Sequence, residues 1–437
     1  MFESLLIAGL LAQTGTSESI DRYVRFAAER DGVELSESID DDQFLRRVTL
    51  DLVGRIPTDT ELLAFRQTPD RSGAVDRLLS DPAHARFWSR VWTSTLIGYG
   101  RTNQADRESL RGWLEESFRE KRGFDRIAYD LLSAEGRGAF DGPTNFILRH
   151  ARDPVVPVGR IFLGVQLDCA RCHDHPNDRW TEEDFRNFAR FFSHVQVRQP
   201  VQGTYEVSDR SADSSGDRPR FLTGAVPKTR QWRQELSLLV IHSKPFARAI
   251  ANRLWYHFFG HGIASSPDAV NGSERCEDFA LITELAERLT EEDFRLDGLI
   301  RAICLSDAYA RRVSVEHPNW LMMPTVKPML PDQLYDSMLI AMDQTDQAGR
   351  REEFLRSASG ASLDETFVNA WDQTEPVQTL MTRLNIALPG QARSHRDIFR
   401  RVLSRDPTKD ELELCTGQTT SDVLFALIHS NEFYFWH

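Results

Sequence analysis

From Ser19 to about Leu148, apolar residues return every three or four positions. Ile20, Tyr23, Val24 and Ala27 form one face; Phe44, Leu45, Val48, Leu50 and Leu52 form the next. That spacing predicts amphipathic helices. Gly54-Arg55-Ile56-Pro57-Thr58 interrupts the second of them. Thr58, with Glu61 three residues on, has capping-box spacing and marks a new helix start. Asp81-Pro82 opens a further helix carrying Phe87, Trp88, Val91, Trp92 and Leu96, with Gly100 as its stop. A second unit begins near Asp153 and runs to an aromatic helix ending about His194. Residues 195–228 then turn polar, with Thr204 to Val207 as a short extended piece able to pair. Helical periodicity resumes at Arg233, in Leu236–Ile241, Phe246–Phe259, Phe279–Leu289, Leu296–Leu305, Leu334–Met342, Ile398–Leu403 and Val423–Phe435. Almost nothing alternates with period two, so the expected fold is mainly α. It comprises two helical domains, 19–194 and 229–437, joined by an irregular, partly extended linker over 195–228. No repeat of solenoid period is visible.

Composition narrows the function classes. In 437 residues, 53 Lys and Arg face 66 Asp and Glu, a formal charge of −13, which argues against nonspecific nucleic-acid binding. A 41% hydrophobic content supports real cores and excludes a mainly disordered chain. Five cysteines are too few for a disulfide scaffold, and their odd number leaves at least one unpaired. No apolar run reaches the roughly 20 residues of a membrane-spanning helix. Leu5 to Ala12 is apolar without a break, and with residues 1–18 it reads as a degenerate export segment. It has the length of a secretory h-region, but Glu3 precedes it and no Lys or Arg does. The plainer reading is a hydrophobic helical turn.

Cys169-Ala170-Arg171-Cys172-His173 is the one site-grade motif. C-x-x-C-H is the attachment sequence of c-type haem: two thiols three positions apart form thioethers to the vinyl groups, and the next His becomes the proximal ligand. Random placement of these residues gives roughly 0.002 expected occurrences. Asp174, His175 and Pro176 follow, and His175 opens a second possibility, a zinc or iron site made by Cys169, Cys172, His173 and His175. A Cys169–Cys172 disulfide is a third. Downstream, Phe185, Phe188, Phe191 and Phe192 share a helical face, more consistent with packing than with a cofactor wall. A distal haem ligand would have to come from His194, His257, His261, Met322 or Met323. His257 and His261 stand four apart, but Gly260 between them predicts a helix end and no shared face. Arg46-Arg47 beside Asp41-Asp42 reads as a solvated or ion-paired surface, and Cys276, Cys304 and Cys415 as core or incidental. Walker, dinucleotide, G-x-S-x-G and H-E-x-x-H motifs are missing, which leaves common nucleotide and hydrolase chemistries without support.

Several segments resemble known families. Phe44 to Gly54 with Pro57-Thr58, Phe162-Leu163-Gly164-Val165 running into Cys169 to Pro176 and Trp180-Thr181, and Pro219 to Leu222 resemble the planctomycete cytochrome-associated domain of unknown function 1549. Phe246-Ala247-Arg248, Asn252 to Trp255, Phe259-Gly260 with Gly262, Leu299 to Arg301 with Ser306 and Tyr309, Leu403 to Arg405 with Pro407-Thr408, and Ala426-Leu427 with Ser430 to Phe433 resemble its usual partner, domain of unknown function 1553. The resemblance implies a helical, usually exported protein, often joined to a separate cytochrome-c-like domain, with no established reaction. It places any haem of these 437 residues at Cys169–His173, and it includes His175 and Pro176 in the family pattern, which favours the four-ligand metal alternative. Ser265 to Asp278 departs from the proline-rich segment usual there. The resulting expectation is an extracytoplasmic c-type-haem or redox protein, periplasmic or equivalent, transferring electrons to a partner enzyme. Cys169 and Cys172 would anchor haem c and His173 would be its ligand. The alternatives are a Cys/His zinc or iron protein without haem, and a noncatalytic assembly module with a Cys169–Cys172 staple.

Overall fold

The computed structural model describes residues 15–98, 104–210, 218–264, 266–271, 278–313, 317, 320, 322–346, 349–358 and 394–436. The apolar run near the N-terminus, Gly100, the centre of the polar stretch at 211–217 and Cys276 lie outside them. The fold is mainly α. Asp40 opens helix Asp41–Val53 with a capping box to Gln43, and Gly54 ends it in the left-handed conformation at φ 74°. A Cβ on Gly54 would lie 2.2 Å from the Phe87 ring, so both the backbone angle and the packing demand glycine. Thr58 caps helix Asp59–Gln67 through the expected box with Glu61, and Arg55 grips the same Glu61 with two bonds of 2.8 and 2.9 Å.

The same device recurs some 350 positions later. Helix His395–Leu403 ends at Ser404 with φ 60°. Arg405 then holds Glu411 at 2.8 and 2.7 Å, while Thr408 and Glu411 form the capping box of helix Lys409–Leu414. The two turns pack together. Arg46 donates to the Val402 carbonyl at 2.8 Å and to Ser404 Oγ at 3.2 Å, and Arg66 bridges Asp42 at 2.6 Å and Asp406 at 3.1 Å.

Arg46 and Arg47 therefore overturn the expected solvated face, being 7% and 1% exposed. Arg47 donates to the carbonyls of Tyr309 and, at 2.8 Å, Arg311. Backbone carbonyls of distant segments accept from both guanidinium groups, from Arg47 through Nη1, and these bonds offset part of the cost of burying them.

The polar stretch holds a hairpin. Strands β2 (Val195–Val201) and β3 (Thr204–Asp209) pair antiparallel, and the short β1 (Gly136–Arg137) flanks β3 on its other edge. The extended piece expected at Thr204 to Val207 is thus the start of β3. Arg233, 1% exposed, donates to Asp209 through two 2.9 Å contacts and to the Leu132 and Ala134 carbonyls at 3.2 and 2.9 Å, tying the hairpin to helix Trp232–Ile241. Strands β4 (Lys327–Pro328) and β5 (Phe435–Trp436) make a second, minimal sheet.

Packing ignores the polar stretch as a divider. One apolar cluster draws on Ile20, Phe44, Trp92, Phe162 and Phe188 from before it, and on Leu236, Trp255, Ile303 and Met322 from after it. A second cluster gathers Leu334, Met338, Ile398, Val402 and Phe433, with Leu50 and Ile56 contributed from the N-terminal side. Helix Asp41–Val53 serves both, through Phe44, Leu45, Val48 and Leu52 on one side and Leu50 on the other.

Three histidines are packed as neutral rings. His84 Nδ1 donates to the Leu52 carbonyl at 2.8 Å, His150 Nε2 to that of Leu96 at 2.7 Å, and His257 Nε2 to that of Asp51 at 3.1 Å. Burial lowers all three pKa values, that of His150 to about 4. An unfolded His titrates near 6.5, so this stability is complete above that pH and is lost as pH falls toward 4. Urea midpoints measured between pH 7 and 4.5 should fall by an amount equivalent to about 1–3 kcal/mol for His150 alone. His150→Gln should flatten that part of the slope.

Candidate functional site

The motif sits on a short turn pinned from behind. After helix Val155–Val158 the chain makes a wide π-turn over Gly159–Leu163 and reverses at Gly164, φ 58°, where a Cβ would lie 2.6 Å from Val270. Leu167 is buried, and Asp168 holds Arg160 at 2.9 and 3.1 Å. The 3-10 turn Cys169–Arg171 follows. Its middle residue, Ala170, is fully buried, whereas Cys169 and Cys172 are exposed free thiols. Burying the residue between them turns both sulfur-bearing residues outward.

The two histidines of the motif are not equivalent. His173 Nδ1 lies 2.8 Å from the Asp174 carbonyl. A carbonyl only accepts, so Nδ1 carries the proton and Nε2 keeps its lone pair; this is the tautomer of a metal-ligating His whose second nitrogen is tied to backbone. Asp174 is itself fixed, its carboxylate accepting from Glu182 N–H at 2.9 Å at the start of helix Glu182–Ala189. His175 Nδ1 instead accepts from Asn177 N–H at 3.1 Å, which puts its proton on Nε2. Both ring nitrogens of His175 are then unsuited to a metal in this arrangement. Among the described residues, no three His, Cys, Asp or Glu side chains converge as a metal group. The structure thus brings Cys169, Cys172 and His173 together on one exposed turn and leaves His175 in its own loop, closed by its N–H to the Trp180 carbonyl at 2.8 Å.

The aromatic helix packs as expected, with Phe188 and Phe191 at 0% and 1% exposure and Phe188 5.9 Å from the Phe221 ring. Phe185 and Phe192 do something further. With Ile147 and Val155 they floor an open cleft of about 330 Å³, whose polar members include Arg152, Asp153 and Arg171. Arg171, the second of the two residues between the motif cysteines, lies over the Phe185 ring at 5.9 Å and pairs with Asp153. The cysteines and His173 do not themselves line this cleft. The candidate distal ligands are placed elsewhere. His194 lies tilted against Trp232 with ring centroids 4.4 Å apart, His261 bonds the Met323 carbonyl at 2.9 Å, and Met322 and Met323 are core residues. Gly260, φ 83°, does end the helix between His257 and His261. Cys304 and Cys415 are buried.

Sequence reasoning missed a buried polar cluster at the junction of the two helical segments. Asp51, 0% exposed, accepts from Tyr309 Oη at 2.7 Å and Lys327 Nζ at 2.8 Å, and His257 Nε2 stands 3.8 Å from the same carboxylate. Lys327 also donates to the His257 carbonyl. Burial raises the pKa of Asp51 against the pull of Lys327, and brings Lys327 down to about 8. The available signal was Asp51 itself, a carboxylate set between Leu50 and Leu52 in the apolar last turns of its helix.

Compared with known families, residues 19–197 match the one described as Protein of unknown function (DUF1549), and residues 233–366 match Protein of unknown function (DUF1553). No curated protein and no solved structure matches the chain. No helix among the described residues is long and apolar enough to cross a membrane.

Proposed function

Because residues 19–197 belong to the DUF1549 family and residues 233–366 to the DUF1553 family, neither with a known activity, the chemistry must come from the site; we propose an extracytoplasmic c-type-haem protein that passes electrons to a partner. The observation that carries this reading is the state of the motif. Two free thiols face solvent on one turn, and the adjacent His173 is held with Nε2 open for coordination. These donors fit covalent haem, which needs accessible thiols and one oriented imidazole. Cys169 and Cys172 would hold the group and His173 would ligate its iron; bound there, it would supply one-electron chemistry. The chain's own part is to present the thiols and to fix the His173 tautomer through the Asp174 carbonyl. Haem attachment to this motif outside the cytoplasm is what supports the extracytoplasmic location. The zinc or iron alternative needs His175 to surrender its bond from Asn177 and change tautomer, which weakens it.

The deciding experiment expresses the chain, with an export signal, in a host that has haem-maturation machinery. A Soret band and a covalent haem mass increment are expected. Protein with neither, but with stoichiometric zinc or iron by elemental analysis, would replace this reading with the metal one.

A further inference from the structure

Strand β2 ends its sheet on one side: the order is β1-β3-β2, so β2 pairs with β3 alone. Arg210 N–H donates to the His194 carbonyl at 3.0 Å, which sets the alternation. Positions 194, 196 and 198 turn their backbone groups toward β3, and Val195 and Val197 turn theirs away. Among the described residues, none donates to or accepts from those outward groups. Unpaired N–H and C=O groups along an edge are a template for one more strand. The far half of β2 opposes pairing along its whole length. Arg198, Gln199 and Pro200 are exposed, the register breaks between Arg198 and Val201, and Pro200 has no N–H to give. The stretch left open, Val195–Val197, suits a short extended segment better than the full strand of a second copy.

The open cleft begins where this stretch begins. Val195 is both the first residue of β2 and part of the cleft wall, beside the apolar floor of Ile147, Val155, Phe185 and Phe192. At about 330 Å³ the cleft is at the small end of ligand pockets, the scale of one or two side chains. Its rim carries charge. Arg171 takes Asp153 as its partner, whereas no carboxylate among the described residues pairs with the exposed Arg152. The rim therefore attracts an anionic group. A chain-terminal carboxylate is captured by a nest of backbone N–H groups; a guanidinium fits the carboxylate of an Asp or Glu side chain. We infer that β2 and the cleft together dock an extended segment of a partner protein. The segment pairs with Val195–Val197, lays an aromatic or aliphatic side chain on Phe185 and Phe192, and sets an acidic side chain two residues away against Arg152. That spacing follows from the strand, whose alternate side chains share a face. The inference stands apart from the haem reading, since it uses neither thiol nor His173.

The test uses the full-length chain and a fluorescently labelled peptide, TVFTET, read by anisotropy. Saturable binding is expected. Replacing the peptide's Phe by Ala should weaken binding at least about tenfold, the loss of a buried aromatic. Replacing its Glu by Gln should cost about threefold, the scale of an exposed ion pair, and should cost nothing in Arg152→Gln protein. A pairing strand uses the N–H groups of alternate residues. Two peptides N-methylated on the alternate sets should therefore differ, one binding and the other not. The peptide changes leave the protein untouched, so a folding defect cannot imitate them. Absence of saturable binding, equal affinity of the two methylated peptides, or a Glu effect that persists in Arg152→Gln protein overturns the inference. So does a wild-type dimer that Val197→Pro dissolves, which would give the edge to a second copy.

Discussion

Replacing Asp51 with Ala should destabilise the protein by roughly 3–5 kcal/mol, because it leaves the Lys327 ammonium buried without its counter-charge. The loss reaches further than one pair. Asp51 also receives the Tyr309 hydroxyl, and its helix is shared by the two apolar clusters. Lys327→Met should be destabilising too, since it strands the carboxylate. The double variant Asp51→Leu/Lys327→Met should cost less than the sum of the single effects, as buried ion pairs often exchange for apolar residues with little net change. Urea midpoints for the four proteins measure this directly. Additive single effects would show that the pair does not act as a unit.

Cys169→Ser/Cys172→Ser should behave in the opposite way. Covalent haem and its Soret band should vanish, while the urea midpoint should move by no more than the roughly 0.5 kcal/mol typical of a surface change. Both thiols are exposed and no disulfide joins them, so nothing in the folded core depends on them. A loss of 2–4 kcal/mol, with no cofactor in the parent protein, would indicate a structural staple instead. His173→Ala should keep the thioethers but change the spectrum, since only the imidazole that would ligate the iron is removed.

These contrasts follow from what a sequence can and cannot display. The helices were legible because burial of one face imposes a 3.6-residue period, and the Thr58–Glu61 cap because its partners lie three residues apart. The motif was legible for the same reason: its donors are adjacent. Arg46 and Arg47 were misread because the groups that satisfy them are backbone carbonyls more than 250 residues away, and a carbonyl has no letter in the sequence. The difference between His173 and His175 was invisible on the same grounds, being set by the Asp174 carbonyl and the Asn177 N–H. The cleft combines Ile147, Val155 and Phe185 from three separate elements, so no single window contained it.

The Asp51–Lys327 bond also sets an order of events at the ribosome. Its partners are 276 residues apart, and at 5–20 residues per second the lysine is made roughly 14–55 s after the aspartate. For most of that interval helix Asp41–Val53 carries a carboxylate and two guanidinium groups whose burial partners do not yet exist. The N-terminal segment is therefore held short of its final packing until most of the chain has emerged.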